Sequence, residues 1–284
     1  MQGFQTIEVN GSVFFEKAAM PGKSVHVGEL DDHACFLFMM KGNNLSIEQN
    51  GMTGVHASEG IVKRCSRYVS QFVTDDNETF CEGVAIYFYP EFIKKIFKNE
   101  FQQFKETPPP SFNTRKVVSN ELIQQYIKGL IPYFEVPELM DEELAAIKIK
   151  ELVRLLIQSE NRTSVLDFFS ELFASPRQMS FVEVVENNIY NDLSMDLFAF
   201  LCNMSLATFK RTFRKQFDTS PAAYIRHQKI AKAKTLLVST TQQVEEIAYE
   251  CGFNELSSFS HTFQKVVGVS PTDFRLSQMS KSLS

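Results

Sequence analysis

An internal repeat with a period of 50 residues limits what the second half of this 284-residue chain can fold into. The matched pairs are Phe209 with Phe259, Thr212 with Thr262, Phe213 with Phe263, Ser220 with Ser270, Pro221 with Pro271, Tyr224 with Phe274 and Leu197 with Ile247. Cys202 matches Cys251 with a shift one residue shorter. Self-similarity at one offset is the signature of a duplicated supersecondary unit, and it predicts two copies of one helix-turn-helix unit.

Helical periodicity and helix-capping signals extend over residues 180–276. The predicted helices are Phe181–Tyr190, Asp196–Cys202, a helix capped by Ser205, a long helix opened by Ser220 and Pro221, a helix opened by a capping box from Thr240 to Gln243, and a helix capped by Asn254 that ends at Gly268. We place the two units at about residues 194–217 and 243–267. The segment ASPRQM, residues 174–179, is predicted to be a linker.

Positive charge is concentrated in the first copy, although the chain has a net charge of -5. Residues 205–234 contain eight basic residues and one acid, Asp218. Within MSLATFKRTFRKQF, the phenylalanines at positions 209 and 213 share one helix face, so the basic side chains lie on the other. A local basic stripe is expected of a surface that binds phosphates, whereas a solvated helix face is the usual alternative. Composition alone leaves both interpretations open.

The repeat predicts which side chains would contact DNA if the basic helix is a recognition helix. The candidates in the first copy are Leu206, Ala207, Lys210, Arg211, Arg214 and Lys215. The equivalent positions in the second copy include Ser260, His261 and Gln264, which lack this charge. The predicted core of the two units is Phe209, Phe213, Phe259 and Phe263. We therefore expect the first copy to supply most of the affinity, by arginine contacts to guanine and lysine contacts to phosphate.

The helix Tyr224–Leu237, which joins the two units, is rigid enough to hold both recognition helices on one side of a duplex, in major-groove segments roughly 34 Å apart. Four basic residues lie on or near it, and we expect them to divide between phosphate contacts and ordinary solvation. They are Arg226, Lys229, Lys232 and Lys234.

The segment NELSSFSHTFQKVVGVSPTDFR, which follows IAYECGF, resembles the C-terminal signature of the AraC/XylS family of bacterial transcription regulators. The resemblance covers about residues 180–276 and implies a double helix-turn-helix domain that activates, less often represses, promoters close to RNA polymerase. By position in the motif, the family's base-reading residues fall on Ala207, Lys210 and Arg211, and on Leu256, Ser257 and His261. His261 and Gln264 replace the more usual arginine and lysine, which affects the expected base preference.

The first half of the chain predicts a different architecture, so the fold class is α+β with two domains. Short β segments occur at residues 36–40, 45–49, 59–65, 68–73 and 83–89, with a hairpin signal at Asn50 and Gly51. They predict an antiparallel sandwich or small barrel over about residues 7–90, followed by apolar-striped helices over about 91–173. The family resemblance implies a cupin-like sensing barrel with dimerisation helices. We place the domains at 1–175 and 176–284.

The predicted barrel interior is a candidate pocket for a small-molecule effector. Aromatic residues that could line it, or form plain core, are Phe36, Phe38, Tyr68, Phe72, Tyr87 and Tyr89. His26, His33 and His56 stand apart without the His-x-His pair of metal-binding cupins, so neither a metal nor another cofactor is expected. The apolar helices favour a homodimer, with packing onto the β domain as the alternative.

Several classes of protein are disfavoured by what the sequence lacks. No apolar run approaches the roughly 20 residues that cross a membrane, and no signal peptide is recognisable, so a cytoplasmic protein is expected. The five cysteines form no CxxC pair; Cys65, between two arginines, is the one candidate for a reactive thiol. Common catalytic motifs are missing, so an enzyme is the least favoured of three hypotheses. The other two are a regulator that senses a small molecule and a regulator that binds a protein partner or only dimerises.

Overall fold

The computed structural model describes residues 3–30, 33–64, 67–74, 78–97, 114–159, 162–172 and 179–282. The chain divides into two compact units, Met1–Gln178 and Met179–Ser284. Cys65 and the segment 174–178 lie outside the described residues. In the described ranges no helix is long and apolar enough to cross a membrane, and no group of three or more His, Cys, Asp or Glu side chains could hold a metal ion.

Antiparallel strands form two sheets in the first compact unit. The strands are β1 (Gly3–Val9), β2 (Ser12–Pro21), β3 (Ser24–Glu29), β4 (Ala34–Lys41), β5 (Asn43–Glu48), β6 (Gly51–Val55), β7 (Gly60–Lys63), β8 (Arg67–Val73), β9 (Phe80–Phe88) and β10 (Thr114–Val117). One sheet has the order β1-β2-β9-β4-β7-β10, and the other has the order β3-β8-β5-β6. The β-rich prediction for this half is therefore confirmed.

The described residues of the first compact unit also form four helices and two short 3-10 turns. The helices are α1 (Pro90–Phe97), α2 (Glu121–Leu130), α3 (Glu142–Ile157) and α4 (Arg162–Glu171). Asn120 and Asp141 cap α2 and α3 by accepting hydrogen bonds from the backbone at Ile123 and Leu144. The apolar faces of these helices join one buried cluster with the six-stranded sheet, so the alternative of packing onto the β domain accounts for much of their apolar surface.

The six aromatic residues considered as pocket lining occupy three different places. Phe36 and Phe38 belong to the helix-facing core. Tyr68, Phe72 and Tyr87 line a cavity between the two sheets. Tyr89 packs beside the core and donates a hydrogen bond to the carbonyl oxygen of Val13 at 2.8 Å.

The predicted hairpin exists, but its turn is displaced by one residue. Glu48 of β5 pairs with Gly51 of β6, so Gln49 and Asn50 form the connection and Gly51 begins the next strand. An Asn-Gly turn occurs instead between β1 and β2, where Asn10 and Gly11 have φ angles of 53° and 78°. Both central residues of a type I′ turn need positive φ, and Asn-Gly meets that need at little steric cost.

The second compact unit, Met179–Ser284, is helical throughout its described residues. Its helices are α5 (Phe181–Asn188), α6 (Met195–Leu201), α7 (Leu206–Phe217), α8 (Pro221–Ser239), α9 (Val244–Glu250), α10 (Leu256–Val267) and α11 (Pro271–Ser282). The predicted caps at Ser205 and Ser220 are confirmed, and Pro221 is the first residue of α8.

Two predicted helix caps in the second compact unit, those of α9 and α10, are wrong. The capping box of α9 joins Gln243 to Glu246, while Thr240 ends α8. Glu255, and not Asn254, occupies the N-cap of α10, and it makes no side-chain cap bond. The side chain of Asn254 donates a hydrogen bond to Asp192 at 2.6 Å instead.

Candidate nucleic-acid interface

Helices α6 and α7 form the first helix-turn-helix unit around a cluster of aromatic rings. Asn203 adopts a left-handed conformation, with φ of 55°, and lets the chain turn sharply between the helices. Phe209 and Phe213 on α7 are completely buried, and the Phe213 ring centroid lies 4.5 Å from that of Phe217 and 5.5 Å from that of Tyr224. This packing fixes which face of α7 is turned to solvent.

The solvent face of α7 carries the predicted DNA-contacting residues of the first unit. Five of them are exposed and Leu206 is half-buried; the exposed residues are Ala207, Lys210, Arg211, Arg214 and Lys215. None of the four cations makes an ion pair or hydrogen bond with the part of the chain that the structure describes. Their charges are therefore available to an external anion.

A groove beside α7 brings these cations to the start of another helix. The groove has a volume of about 740 Å³. Its lining consists of Met195, Lys210, Arg211, Arg214, Lys215, Ser220, Pro221 and Ala222. The N-terminus of α8 adds the positive end of a helix dipole, which favours an anion such as a backbone phosphate. Met195, Ser220, Pro221 and Ala222 were not predicted as interface residues, although the Ser-Pro helix start was a visible signal for an anion-binding end.

The second helix-turn-helix unit, formed by α9 and α10, presents a less basic surface than the first. Leu256, Ser257, His261 and Gln264 are exposed on α10, and Ser260 is half-buried. Residues 243–267 contain one basic residue, Lys265, and four acids. Buried Phe259 and Phe263 occupy the positions that Phe209 and Phe213 hold in the first unit. The two copies thus share a core and differ in surface charge.

Two lysines of α8 bind the chain itself. Lys229 Nζ donates to the carbonyl oxygen of Gly252 at 2.6 Å, and Lys232 Nζ donates to that of Glu250 at 2.9 Å. Burial lowers the pKa of Lys229, and the negative charge of Asp192 opposes this shift. These lysines satisfy carbonyl groups at the C-terminal end of α9, which makes them structural and not free to neutralise phosphate.

The turn of the second unit is also attached to the segment that follows α5. Lys232 Nζ lies 4.5 Å from the centroid of the Tyr190 ring. Gly252 has φ of 80°, and a Cβ atom added to it would lie 2.1 Å from the carbonyl oxygen of Tyr190. Together with the Asn254–Asp192 bond, these contacts fix the second unit against both α5 and α8. We call this set, Tyr190, Asp192, Lys229, Lys232 and residues 250–254, the junction.

Two family models match the chain in separate regions. One, described as a helix-turn-helix domain, matches residues 199–277, and the other, described as the ExsA N-terminal regulatory domain, matches residues 34–168. Among solved structures, ToxT from Vibrio cholerae O395 is 13% identical with a TM-score of 0.41, covering 93% of this chain and 98% of that one. The DNA-binding domain of AdpA, solved with a target DNA, is 25% identical with a TM-score of 0.34, covering 36% of this chain and 91% of that one.

Curated relatives are similar over parts of their length. The virulence regulon transcriptional activator VirF of Yersinia enterocolitica is 26% identical over 183 residues, which are 64% of this chain and 65% of that protein. The transcriptional regulator ExsA of Pseudomonas aeruginosa is 29% identical over 133 residues, 46% of this chain and 47% of that protein. The chain thus spans just under two thirds of the length of the VirF protein. With a regulatory-domain match followed by a helix-turn-helix match, the chain belongs to the AraC/XylS family of transcription regulators.

Proposed function

We propose that this protein is a sequence-specific, DNA-binding transcription regulator, with an activating role, and not an enzyme. The observation that carries the proposal is the set of four cations on the solvent face of α7, none of which is paired with another described residue. A surface that held these cations for internal salt bridges would pair them, as α8 pairs Lys232 with Glu250. Unpaired cations beside a helix N-terminus suit a phosphate backbone.

The two units divide the work of recognition. Helix α7 enters the major groove, with Ala207, Lys210 and Arg211 toward base edges and Arg214 and Lys215 toward phosphates. Helix α10 enters the next major-groove segment with Leu256, Ser257 and His261, supported by Ser260 and Gln264. Because the second unit is acidic, its contribution to affinity is small and its role is to discriminate among sequences.

Residues 176–284 hold this DNA-binding function, and residues 1–175 control it. The control signal is a small molecule or, as the alternative, a protein partner. The regulator acts in the cytoplasm as a homodimer and contacts RNA polymerase from DNA. Support for dimerisation comes from apolar side chains that remain exposed on α2 and α3 of the first compact unit, where Leu122 is 60% and Ile147 is 56% exposed. Sedimentation equilibrium of the whole chain tests it, and a monomer at all concentrations would contradict it.

The experiment that tests DNA recognition is selection of a random duplex library on the whole chain, followed by fluorescence anisotropy on the selected and a scrambled duplex. We expect one enriched sequence, salt-dependent binding, and tighter binding to the selected duplex by about 10³-fold or more. Binding of both duplexes with the same affinity at every salt concentration would contradict sequence-specific recognition.

Substitutions of Arg211 and Lys215 should separate base reading from phosphate binding. We expect Arg211→Ala to weaken specific binding by about 1–3 kcal/mol and to relax the preference at one base pair. Lys215→Ala should weaken binding to all duplexes alike and reduce the salt dependence by about one phosphate contact. Anisotropy on the selected and scrambled duplexes measures both effects. Equal losses on both duplexes for both variants would refute the division of roles.

A further inference from the structure

Charged side chains are buried inside the β domain, where a structural core usually has apolar side chains. Among the described residues of the first compact unit, three charged residues are almost completely buried: Glu48 at 1%, Lys63 at 2% and Arg64 at 3% exposure. Burying a charge is costly unless it is paired, and a buried ion pair adds little stability compared with apolar residues. Among the described residues, this set has two cations and one anion.

Lys63 is the cation that lacks a hydrogen-bonded or ion-paired acid among the described residues, although the negative charge of Glu48 acts on it. Its Nζ lies 4.2 Å from the centroid of the Tyr68 ring, and it makes no hydrogen bond or ion pair with the described part of the chain. The Cα partners of Lys63 are Cys35 and Thr114, and neither side chain carries a fixed negative charge. The buried hydroxyl of Thr114 also has no hydrogen-bond partner among the described residues.

Lys63 lines a cavity of about 60 Å³ between the two sheets. The polar lining is Glu16, His26, Lys63, Tyr68, Ser70 and Tyr87. Apolar side chains, including Ala18, Leu37 and Phe72, form much of the remaining wall. Phe4 is 53% exposed and marks the side of the cavity that faces solvent. A water molecule needs roughly 10–15 Å³ of such space, so the cavity suits a ligand of about four to six non-hydrogen atoms.

The other titratable groups leave room for an anion. Burial raises the pKa of Glu16, which favours its neutral form, and a hydrogen bond with the Tyr87 hydroxyl partly opposes this shift. Burial lowers the pKa of His26, and the charge of Lys63 lowers it further, so His26 favours its neutral form as well. Burial also lowers the pKa of Lys63, and the negative charge of Glu48 opposes this shift. A carboxylate bound beside Lys63 would favour its charged form in the same way.

We propose that this cavity is a binding site for a small carboxylate, whose oxygens accept hydrogen bonds from Lys63 while its short chain lies against Ala18, Leu37 and Phe72. The proposal rests on the proposed function only in giving the bound molecule a signalling role; the binding itself is independent of DNA. Short acids such as acetate, propionate, lactate and pyruvate fit the volume, whereas a long-chain fatty acid does not.

Thermal unfolding and calorimetric titration of the whole chain test the proposal with these four acids and with propionamide and lactamide as neutral counterparts. We expect at least one acid to raise Tm, because a ligand that binds the native state stabilises it by mass action. Loss of a charged hydrogen bond should make the corresponding amide bind about 10- to 100-fold more weakly. The absence of a Tm shift with every acid, or equal affinity for acid and amide, would overturn the proposal.

Lys63→Met gives the second test, since it removes the buried charge and keeps a long apolar side chain. We expect the variant to lose binding by about 10- to 100-fold. Lys41→Met is the matched control, because its side chain is 54% exposed and pairs only loosely with Glu82 at 3.9 Å; it should bind like the wild type. Unchanged affinity in Lys63→Met would overturn the proposal, and if that variant does not fold, the comparison of acid with amide decides. Decanoate should not compete with the short acid; competition would contradict the size limit. DNA affinity measured separately distinguishes failure of this site from failure of DNA recognition.

Discussion

Replacing Phe213 with alanine should unfold the first helix-turn-helix unit and abolish specific DNA binding. The ring is completely buried and lies 4.5 Å from Phe217, 5.5 Å from Tyr224 and 5.7 Å from Phe209, measured between centroids. Removing a buried phenylalanine costs about 3–5 kcal/mol, which is a large part of the stability of a domain of this size. Urea denaturation followed by circular dichroism, with anisotropy on the selected duplex, measures both losses.

Phe263→Ala should destabilise the second unit by a similar amount, because Phe263 is also completely buried against Phe259 and Phe274. Val238→Ala is the matched control, since this side chain on α8 is 56% exposed and its loss should change stability by less than about 0.5 kcal/mol. Wild-type stability in either phenylalanine variant would show that the predicted core of that unit is wrong.

The repeat made the architecture of the second compact unit predictable, because the same residue types recur where the same packing recurs. Phe209 and Phe259 had to share a role, and so did the helix starts at Pro221 and Pro271. The absence of a helix cap at Asn254 was not predictable in this way. Its side chain is bound to Asp192, 62 residues earlier in the chain, and local capping preference cannot anticipate a long-range partner.

Among basic residues, sequence could not separate those that are exposed and unpaired from those that bind the chain itself. Lys229 and Lys232 look as available as Lys210, yet both donate to backbone carbonyls of another helix end. The difference depends on where α9 ends relative to α8, which is a tertiary relation. The two helix-turn-helix units meet there, so the junction determines how α7 and α10 are placed relative to each other.

The first half was harder to interpret because its strands break the usual alternation. In EGIVKRC the apolar residues Ile61 and Val62 are adjacent, so the pattern gives no orientation for Lys63. In LSIEQ the alternation suggests that Ser46 and Glu48 face solvent, whereas both are buried. A polar residue inside a sheet contradicts local expectation, and such contradictions are expected where a site has a function.

Replacing Gly252 with alanine should displace the second unit while leaving the first intact. The glycine has φ of 80°, and its new Cβ would lie 2.1 Å from the carbonyl oxygen of Tyr190, a backbone atom that cannot rotate away. The left-handed conformation alone costs an L-residue about 1–2 kcal/mol, and the clash adds to it. Because the junction positions α10 relative to α7, we expect weaker binding to a duplex that carries both recognised segments, by about 5- to 150-fold.

Gly268→Ala is the matched control for Gly252→Ala. Gly268 also has positive φ, of 93°, but nothing lies within 4 Å of a Cβ atom added there, so its substitution adds conformational strain without a clash. On a duplex whose second segment is scrambled, both variants should bind like the wild type, since the cations of α7 are untouched. On the complete duplex, Gly252→Ala should lose more affinity than Gly268→Ala. Equal losses would mean that contact with Tyr190 does not hold the second unit in place, and the spacing of the two recognition helices would then depend on α8 alone.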